Sequence, residues 1–329
     1  MSRFARQGMA SFTLPPPARQ VYIRNFLDEA RTSVLADSLR AAVKEIAPQT
    51  LADEMNTHAP AAARQVLQGT HVRDDLVFAT PSVLRRDPRT LGYYRLLLGV
   101  SQKRFYTTAS GLGPFKSMEE RGIIRPALDP DIPALCDALN AAMGDLVVTL
   151  KGGMTATDVD QLPIMTLGAQ ADGSWRTRIG RKATEDVFDA LKSVIKGQGV
   201  TYTDDERSLS LTNSSGRPVA IALASDPDVV IKEMVNTQEV FKVAIEIKGG
   251  TDHSNAHNRA GEAEKSHRKA ALAGATDFWT VISTTGISMT TLQSESPTTR
   301  QWFNLEEVLA CAGADWTRLV NLVLSAMGI

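Results

Sequence analysis

The segment VAIEIKGG, residues 243–250, has the composition of a buried strand, yet it carries a carboxylate at Glu246 and an ammonium at Lys248. Side chains alternate across a strand, so Glu246 and Lys248 share one face while Val243, Ile245 and Ile247 share the other. A second acid stands eighteen positions earlier in SDPDVVI, where Asp228 follows Pro227 and opens another apolar run. A short turn near residues 236–238 makes the two runs antiparallel neighbours, which brings Asp228 and Glu246 to one end of a sheet. Carboxylates forced together repel, and a hard divalent cation such as Mg²⁺ relieves that best. Such an ion keeps positions open for water and a substrate phosphate. Lys248 beside it would hold or deprotonate the attacking water and offset charge on a phosphorane-like transition state. These residue types point to phosphodiester hydrolysis. A salt-bridged hairpin without chemistry is the alternative, and Asp226, two residues before Asp228 and so on the same strand face, is a rival ligand.

Pro227-Asp228 followed by Glu246-Ile247-Lys248, with an acid-bearing helix before and a helix and strand after, resembles the PD-(D/E)xK nuclease pattern. That resemblance implies that Asp228 and Glu246 are metal ligands, that the backbone carbonyl of Ile247 joins them, that Lys248 serves the water, and that Glu185 on the preceding helix assists. The runs EIKGGTDHSNAHNRAGEAEKSHRKA and YYRLLLGVSQKRFY more specifically resemble type II restriction endonucleases of the XcyI-like group. The substrate so implied is duplex DNA carrying the palindrome CCCGGG, and palindromic recognition implies a homodimer in which each protomer cuts one strand. A structure-specific repair or recombination nuclease of the same fold, and a DNA-binding protein that does not cut, are the competing functions. Intact Asp228, Glu246 and Lys248 argue against the latter.

The loop that leaves the catalytic strand places Asn255, His257, Asn258 and Arg259 near the scissile phosphate or a base edge. Arg and Asn are suited to bidentate contacts with guanine and adenine. Lys265 on the next helix reads either as a phosphate contact or as part of a solvated face. His253, His257 and His267 lie close in sequence, but a zinc site lacks its third ligand and a matching glutamate. An HNH nuclease built on His253, Asn258 and His267 would need a hairpin where the sequence reads as loop and helix. His267 interrupts a stripe of small residues, Ala256, Ala260, Ala263, Ala270 and Gly274, that lets a helix lie close on a sheet, so it is expected to be a hydrogen-bonded packing residue.

The elements that must position these groups follow from periodicity. The stretch 19–47 carries apolar residues at three- and four-residue steps, and further helical patterns lie around residues 90–106 and 131–150. TEDVFDALKSVIKGQG reads as a helix that starts after Thr184 and stops at Gly197. Short strands follow at SLSLT, PVAIALA, DVVIKEM and VAIEIK, then a helix over about 255–273 and the strand DFWTVIS. Strand, helix, strand implies a right-handed crossover and a parallel pair in an otherwise antiparallel sheet. The expected fold is α/β, a restriction-endonuclease-like mixed sheet flanked by helices over residues 151–329, with a mainly helical, DNA-clamping region over residues 1–150. The apolar C-terminal helix DWTRLVNLVLSAM is expected to pack on the core or to serve the dimer.

The chain of 329 residues is 43% hydrophobic, long enough for a substantial core without staples. Its 36 basic and 37 acidic side chains give a net charge of −1, which excludes a nucleic-acid binder held by overall charge. Locally the balance differs. Nine bases between Arg85 and Arg125 face only Asp87, Glu119 and Glu120, and aromatics are interleaved. Arg95, Lys103, Arg104 and Lys116 are the candidate DNA contacts there, against a solvated face. Cys136 and Cys311 lie far apart without metal spacing and read as buried thiols in a reducing compartment. With no signal-like N-terminus and no run expected to cross a bilayer, a cytoplasmic protein without a membrane partner is expected.

Overall fold

The computed structural model describes residues 17–250, 256–284 and 287–329, with side chains omitted at 256 and 257. The chain divides into two compact units, Met1–Trp175 and Arg176–Ile329.

The first unit is helical among its described residues. It contains α1 (Ala18–Arg31), α2 (Ala36–Lys44), α3 (Pro48–His58), α4 (Ala61–Gln68), α5 (Pro81–Arg86), α6 (Thr90–Leu97), α7 (Gln102–Phe105), α8 (Lys116–Arg121), α9 (Ile132–Thr149) and the start of α10 (Ala156–Lys196). The stretch read as one helix over 19–47 is thus two. The hydroxyls of Thr32 and Ser33 bond back to the Glu29 carbonyl and close α1, and such local bonds compete with helix continuation. The segment Pro126–Thr149 does reach spanning length and apolarity, against the expectation that no run would, and 44% of its apolar stretch is buried. Leu135, Cys136, Leu139, Met143 and Val147 put it in the core of the helical unit.

Arg95 is 1% exposed. Its Nε and Nη2 donate to Glu119 at 2.9 and 2.6 Å, and Nη1 donates to the Val100 carbonyl at 2.6 Å. Tyr106 and Gln102 also donate to Glu119. Burial works to raise the Glu119 pKa, but the hydrogen bonds and charge of Arg95 outweigh it and hold the carboxyl below its ordinary value. Arg95 is therefore removed from the candidate DNA contacts. Its fork is spent on a buried carboxylate, a pairing that burial demands.

The second unit is built on a seven-stranded sheet, in sequence order from one edge to the other. The strands are β1 (Tyr202–Asp204), β2 (Ser208–Thr212), β3 (Pro218–Leu223), β4 (Val229–Val235), β5 (Gln238–Lys248), β6 (Asp277–Ile282) and β7 (Gln301–Asn304). The first five run antiparallel, while β5–β6 and β6–β7 are parallel. The fold is α/β with a mixed sheet, as expected, with β1 and β7 added. Asn236 and Thr237, both at positive φ, form the two-residue turn between β4 and β5, the geometry that matches strand twist.

Alternation assigns the two faces. Odd-numbered residues such as Val229, Ile231, Val243, Ile245, Trp279 and Phe303 form the main core with α10 and α14 (Ala314–Met327). On the other face α11 (Ala256–Leu272) lies over Ala244 and Phe278 through its buried Ala270, while Ala260 packs beside Ile282. Between them β6 leads to α12 (Met289–Glu295), and β7 to α13 (Leu305–Leu309). Leu319, Val323 and Met327 of α14 enter the core and Leu322 and Leu324 pack against it, so the apolar excess of this helix is absorbed within the unit. α10 begins far upstream of Thr184, whose hydroxyl bonds the Gly180 carbonyl inside the helix. Pro163, Gly168, Gly173 and Gly180 lower intrinsic helix propensity upstream and masked it in the sequence. Cys136 is buried but Cys311, read as buried, is exposed after α13.

Candidate active site

The antiparallel register Val229↔Ile245 and Val230↔Ala244 continues at the end of β4 to Asp228 and Glu246. Cross-strand partners share a sheet face, so Asp228, Glu246 and Lys248 lie on the α11 side, opposite the main core. A main-chain bond from the Ala224 N–H to the Asp228 carbonyl, 2.9 Å, closes the turn before β4 and seats Asp228. Oδ2 of Asp228 accepts the N–H of Ile247 at 2.8 Å, which ties the first acid to the residue between the other two. Nζ of Lys248 lies 2.7 Å from Oε1 of Glu246. Oε2 of Glu246 is buried and accepts no hydrogen bond among the described residues.

Burial sets the electrostatics. Glu246 is 5% exposed, and its carboxyl is pushed up to about 7 by burial first and by the charge of Asp228 second. Burial likewise raises Asp228, against the hydrogen bond from Ile247. For Lys248 burial works downward, but the charge and hydrogen bond of Glu246 outweigh it, and its pKa is raised. The lysine therefore stands as an ammonium beside two carboxylates that are costly to ionise.

The first of the two glycines after β5 is a packing requirement. A Cβ on Gly249 would fall 2.5 Å from the Ala183 Cβ and 3.1 Å from the Gly180 Cα of α10. A Cβ on Gly250 would fall 2.7 Å from Nη1 of Arg259. Gly249→Ala is expected to destabilise the unit by about 1–3 kcal/mol, the usual cost of overpacking. Chemical denaturation would measure it, and an unchanged midpoint would mean that α10 does not brace the strand end.

The remaining candidates divide. Asp226 is bound by Lys269 of α11 at 2.6 Å. The side chain of Glu185 is 53% exposed and 3.6 Å from Arg181 along the same helix. Ala183, Val187 and Phe188 form the buried face of α10 there, and Glu185 points away from it. Asn258 and Lys265 are exposed on α11, and Arg259 is half-buried against Gly250. Asn255 and the side chain of His257 lie outside the described residues, as does His253. In the helical unit Lys103 and Arg104 are exposed, and Lys116 pairs with Glu120 at 2.9 Å.

His267 is fully buried, with Nε2 3.2 Å from the Trp279 carbonyl oxygen and Nδ1 3.1 Å from Oγ1 of Thr299. Burial pushes it down to about 4, so it is a neutral packing residue, which removes one member of the HNH constellation. One acid escaped the sequence reading. Glu262 of α11 places Oε2 3.7 Å from Nζ of Lys248. The small-residue stripe gave the buried side of α11 but not where that helix meets the strand.

Among the described residues no three or more His, Cys, Asp or Glu groups form a metal-holding cluster. Among the described residues the side-chain donors that meet at the site are the carboxylates of Asp228 and Glu246, a set matched to an ion that keeps several waters.

The model of the XcyI restriction endonuclease family matches residues 24–329. The chain is 35% identical over 319 residues to the type II restriction enzyme XcyI of Xanthomonas campestris pv. cyanopsidis, covering 96% of this chain and 95% of that protein. It is 33% identical over 319 residues to the type II restriction enzyme Cfr9I of Citrobacter freundii, covering 96% of each. A family model over residues 24–329 and matches over nearly the whole length of both relatives show that the chain belongs to the XcyI restriction endonuclease family.

Proposed function

We propose that this protein is a cytoplasmic homodimeric endonuclease that hydrolyses duplex DNA at the palindrome CCCGGG with Mg²⁺ held by Asp228, Glu246 and the carbonyl of Ile247. The observation that carries the metal is Oε2 of Glu246, a buried carboxylate oxygen without a donor among the described residues. Leaving such an atom unpaired costs about 1–3 kcal/mol, which a cation removes. Ile247 supports the third ligand. A strand residue directs its N–H and C=O to the same neighbour, and its N–H already goes to Asp228. Asp226, the rival ligand, is assigned to Lys269 rather than to the metal.

A bound divalent ion would polarise the phosphate and lower the pKa of the attacking water. Lys248 contributes a charged donor, since its pKa is raised. It is placed to hold or deprotonate the attacking water and to offset phosphate charge. Asn258, Arg259 and Lys265 stand on the element that leaves this strand and are proposed to meet DNA, as are Asn255 and His257. Lys103, Arg104 and Lys116 of the helical region are proposed to grip phosphates. The palindrome requires twofold symmetry, hence the dimer.

Digestion of plasmid with Mg²⁺ tests the function. Discrete fragments that map to CCCGGG are expected; structure-dependent nicking, or retention without cleavage, would overturn it.

The acids add a pH signature in chelator-treated protein. The folded pKa of Glu246 is raised, to about 7 from 4.5. Between these values the folded state holds more protons than the unfolded state, so this group makes stability fall as pH rises through the window. Glu246→Gln removes the titration. The variant is expected to gain melting temperature relative to the parent between pH 5 and pH 8, by an amount worth about 1–3 kcal/mol. A difference independent of pH would show that Glu246 ionises normally.

A further inference from the structure

The lysine of the site has two acids within ion-pair distance among the described residues, Glu246 at 2.7 Å and Glu262 at 3.7 Å. They differ in kind. Glu246 is 6% exposed at its side chain and is the residue whose second oxygen has no donor among the described residues; the side chain of Glu262 is 61% exposed. An exposed carboxylate near a surface lysine ordinarily does little. Lys248 is not a surface lysine, since its side chain is only 16% exposed.

The placement of Glu262 is also built into the fold. Its neighbours Ala260 and Ala263 are fully buried. Two residues on, Glu264 accepts from the Thr298 N–H and from the hydroxyls of Thr298 and Ser296. His267 bonds the Trp279 carbonyl and Thr299, and Lys269 bonds Asp226. α11 is thereby held to the sheet along its length, and Glu262 is carried on a fixed helix beside the ammonium.

On the metal reading above, Asp228 and Glu246 give their charge to a cation. Lys248 then shares Glu246 with the cation, the lysine on Oε1 and the cation on Oε2, while its ammonium stands next to a positive ion. A buried ammonium without an acid is costly, and it would compete with the cation for Glu246. We infer that Glu262 is a positioning residue that holds the ammonium of Lys248 when a metal on Oε2 draws on the charge of Glu246. It offsets the cost of an ammonium beside the cation and keeps the amine within reach of the water. Glu262 makes no bond to the metal or to DNA in this assignment and acts only through the lysine.

A double-mutant cycle with Mn²⁺ as the probe tests this. Binding of Mn²⁺ to the protein without DNA is followed by electron paramagnetic resonance in the parent, Glu262→Gln, Lys248→Met and the double variant. Lys248→Met keeps the buried stem. Glu262→Gln is expected to weaken Mn²⁺ binding about threefold to fivefold in the parent, the range of a partly exposed ion pair. It should do so less than about twofold once Lys248 is Met, because the two act in series. With Mg²⁺ and DNA, Glu262→Gln should lower kcat with KM unchanged, and Glu262→Asp should restore part of it.

Equal weakening in both backgrounds would make Glu262 a ligand or a general field and overturn the assignment, as would no weakening in the parent. Failure of the parent to bind Mn²⁺, or a Glu246→Gln variant that binds as well as the parent, would instead sink the metal reading and this inference with it.

Discussion

Asp228→Asn is expected to lower cutting by about a thousandfold, whereas Asp226→Asn should stay within about tenfold of the parent, the gap being set by several kcal/mol of charge stabilisation at a metal site. Both aspartates flank Pro227 and both have the right chemistry, so the difference is geometric. Asp228 continues the β4 register to stand opposite Glu246, and its Oδ2 accepts the Ile247 N–H. Asp226 is held by a largely exposed Lys269. Losing that exposed pair costs about 0.2–1 kcal/mol, a stability effect and not a catalytic one. Asparagine at 228 keeps an oxygen for Ile247 but loses the charge, so the fold should survive while the cation is lost. Initial rates of plasmid linearisation, with melting temperature as control, separate the two. Equal losses, or a larger loss at 226, would move the ligand to Asp226.

The second large effect is expected at Lys248→Ala, with cutting reduced by about a hundredfold to a thousandfold, the usual consequence of removing one donor to developing charge. DNA binding should persist within a few fold, because a single ammonium at the scissile phosphate adds little to an interface built from many phosphate contacts. The removal also leaves Glu246 without its 2.7 Å partner. With the largest downward influences gone, Glu246 would hold its proton to higher pH. The residual activity of Lys248→Ala is therefore expected to rise with pH more steeply than that of the parent. Gel-shift binding in Ca²⁺ and single-turnover cleavage across pH measure both quantities. Full activity in the variant would remove Lys248 from the chemistry, and loss of binding in step with cleavage would make it a DNA contact.

Much of the second unit was legible because its signals are local. SLSLT, PVAIALA, DVVIKEM, VAIEIK and DFWTVIS all appear as strands within a residue or two of their expected bounds or extended at one end, and the crossover gives the parallel β5–β6 pair. Composition and turn residues decide such elements within a few positions. The first part of α10 was not legible, since Pro163 and three glycines spoil its propensity while tertiary packing keeps it helical. The split of α1 from α2 was hidden for the opposite reason. Apolar spacing runs through residues 32–35, yet side-chain hydroxyls end the first helix.

The sequence alone determined the residue types of the site and their shared face, because alternation along a strand and antiparallel return through a short turn are rules of the chain's immediate neighbourhood. Tertiary structure decided which charged residues keep company with Asp228, Glu246 and Lys248. It buried Arg95 against Glu119, turned Glu185 to solvent, gave Asp226 to Lys269 and set Glu262 beside Lys248. Each of those outcomes depends on the rotation of a helix about its own axis against distant packing partners, and a change of one residue in that rotation swings a side chain by about 100°.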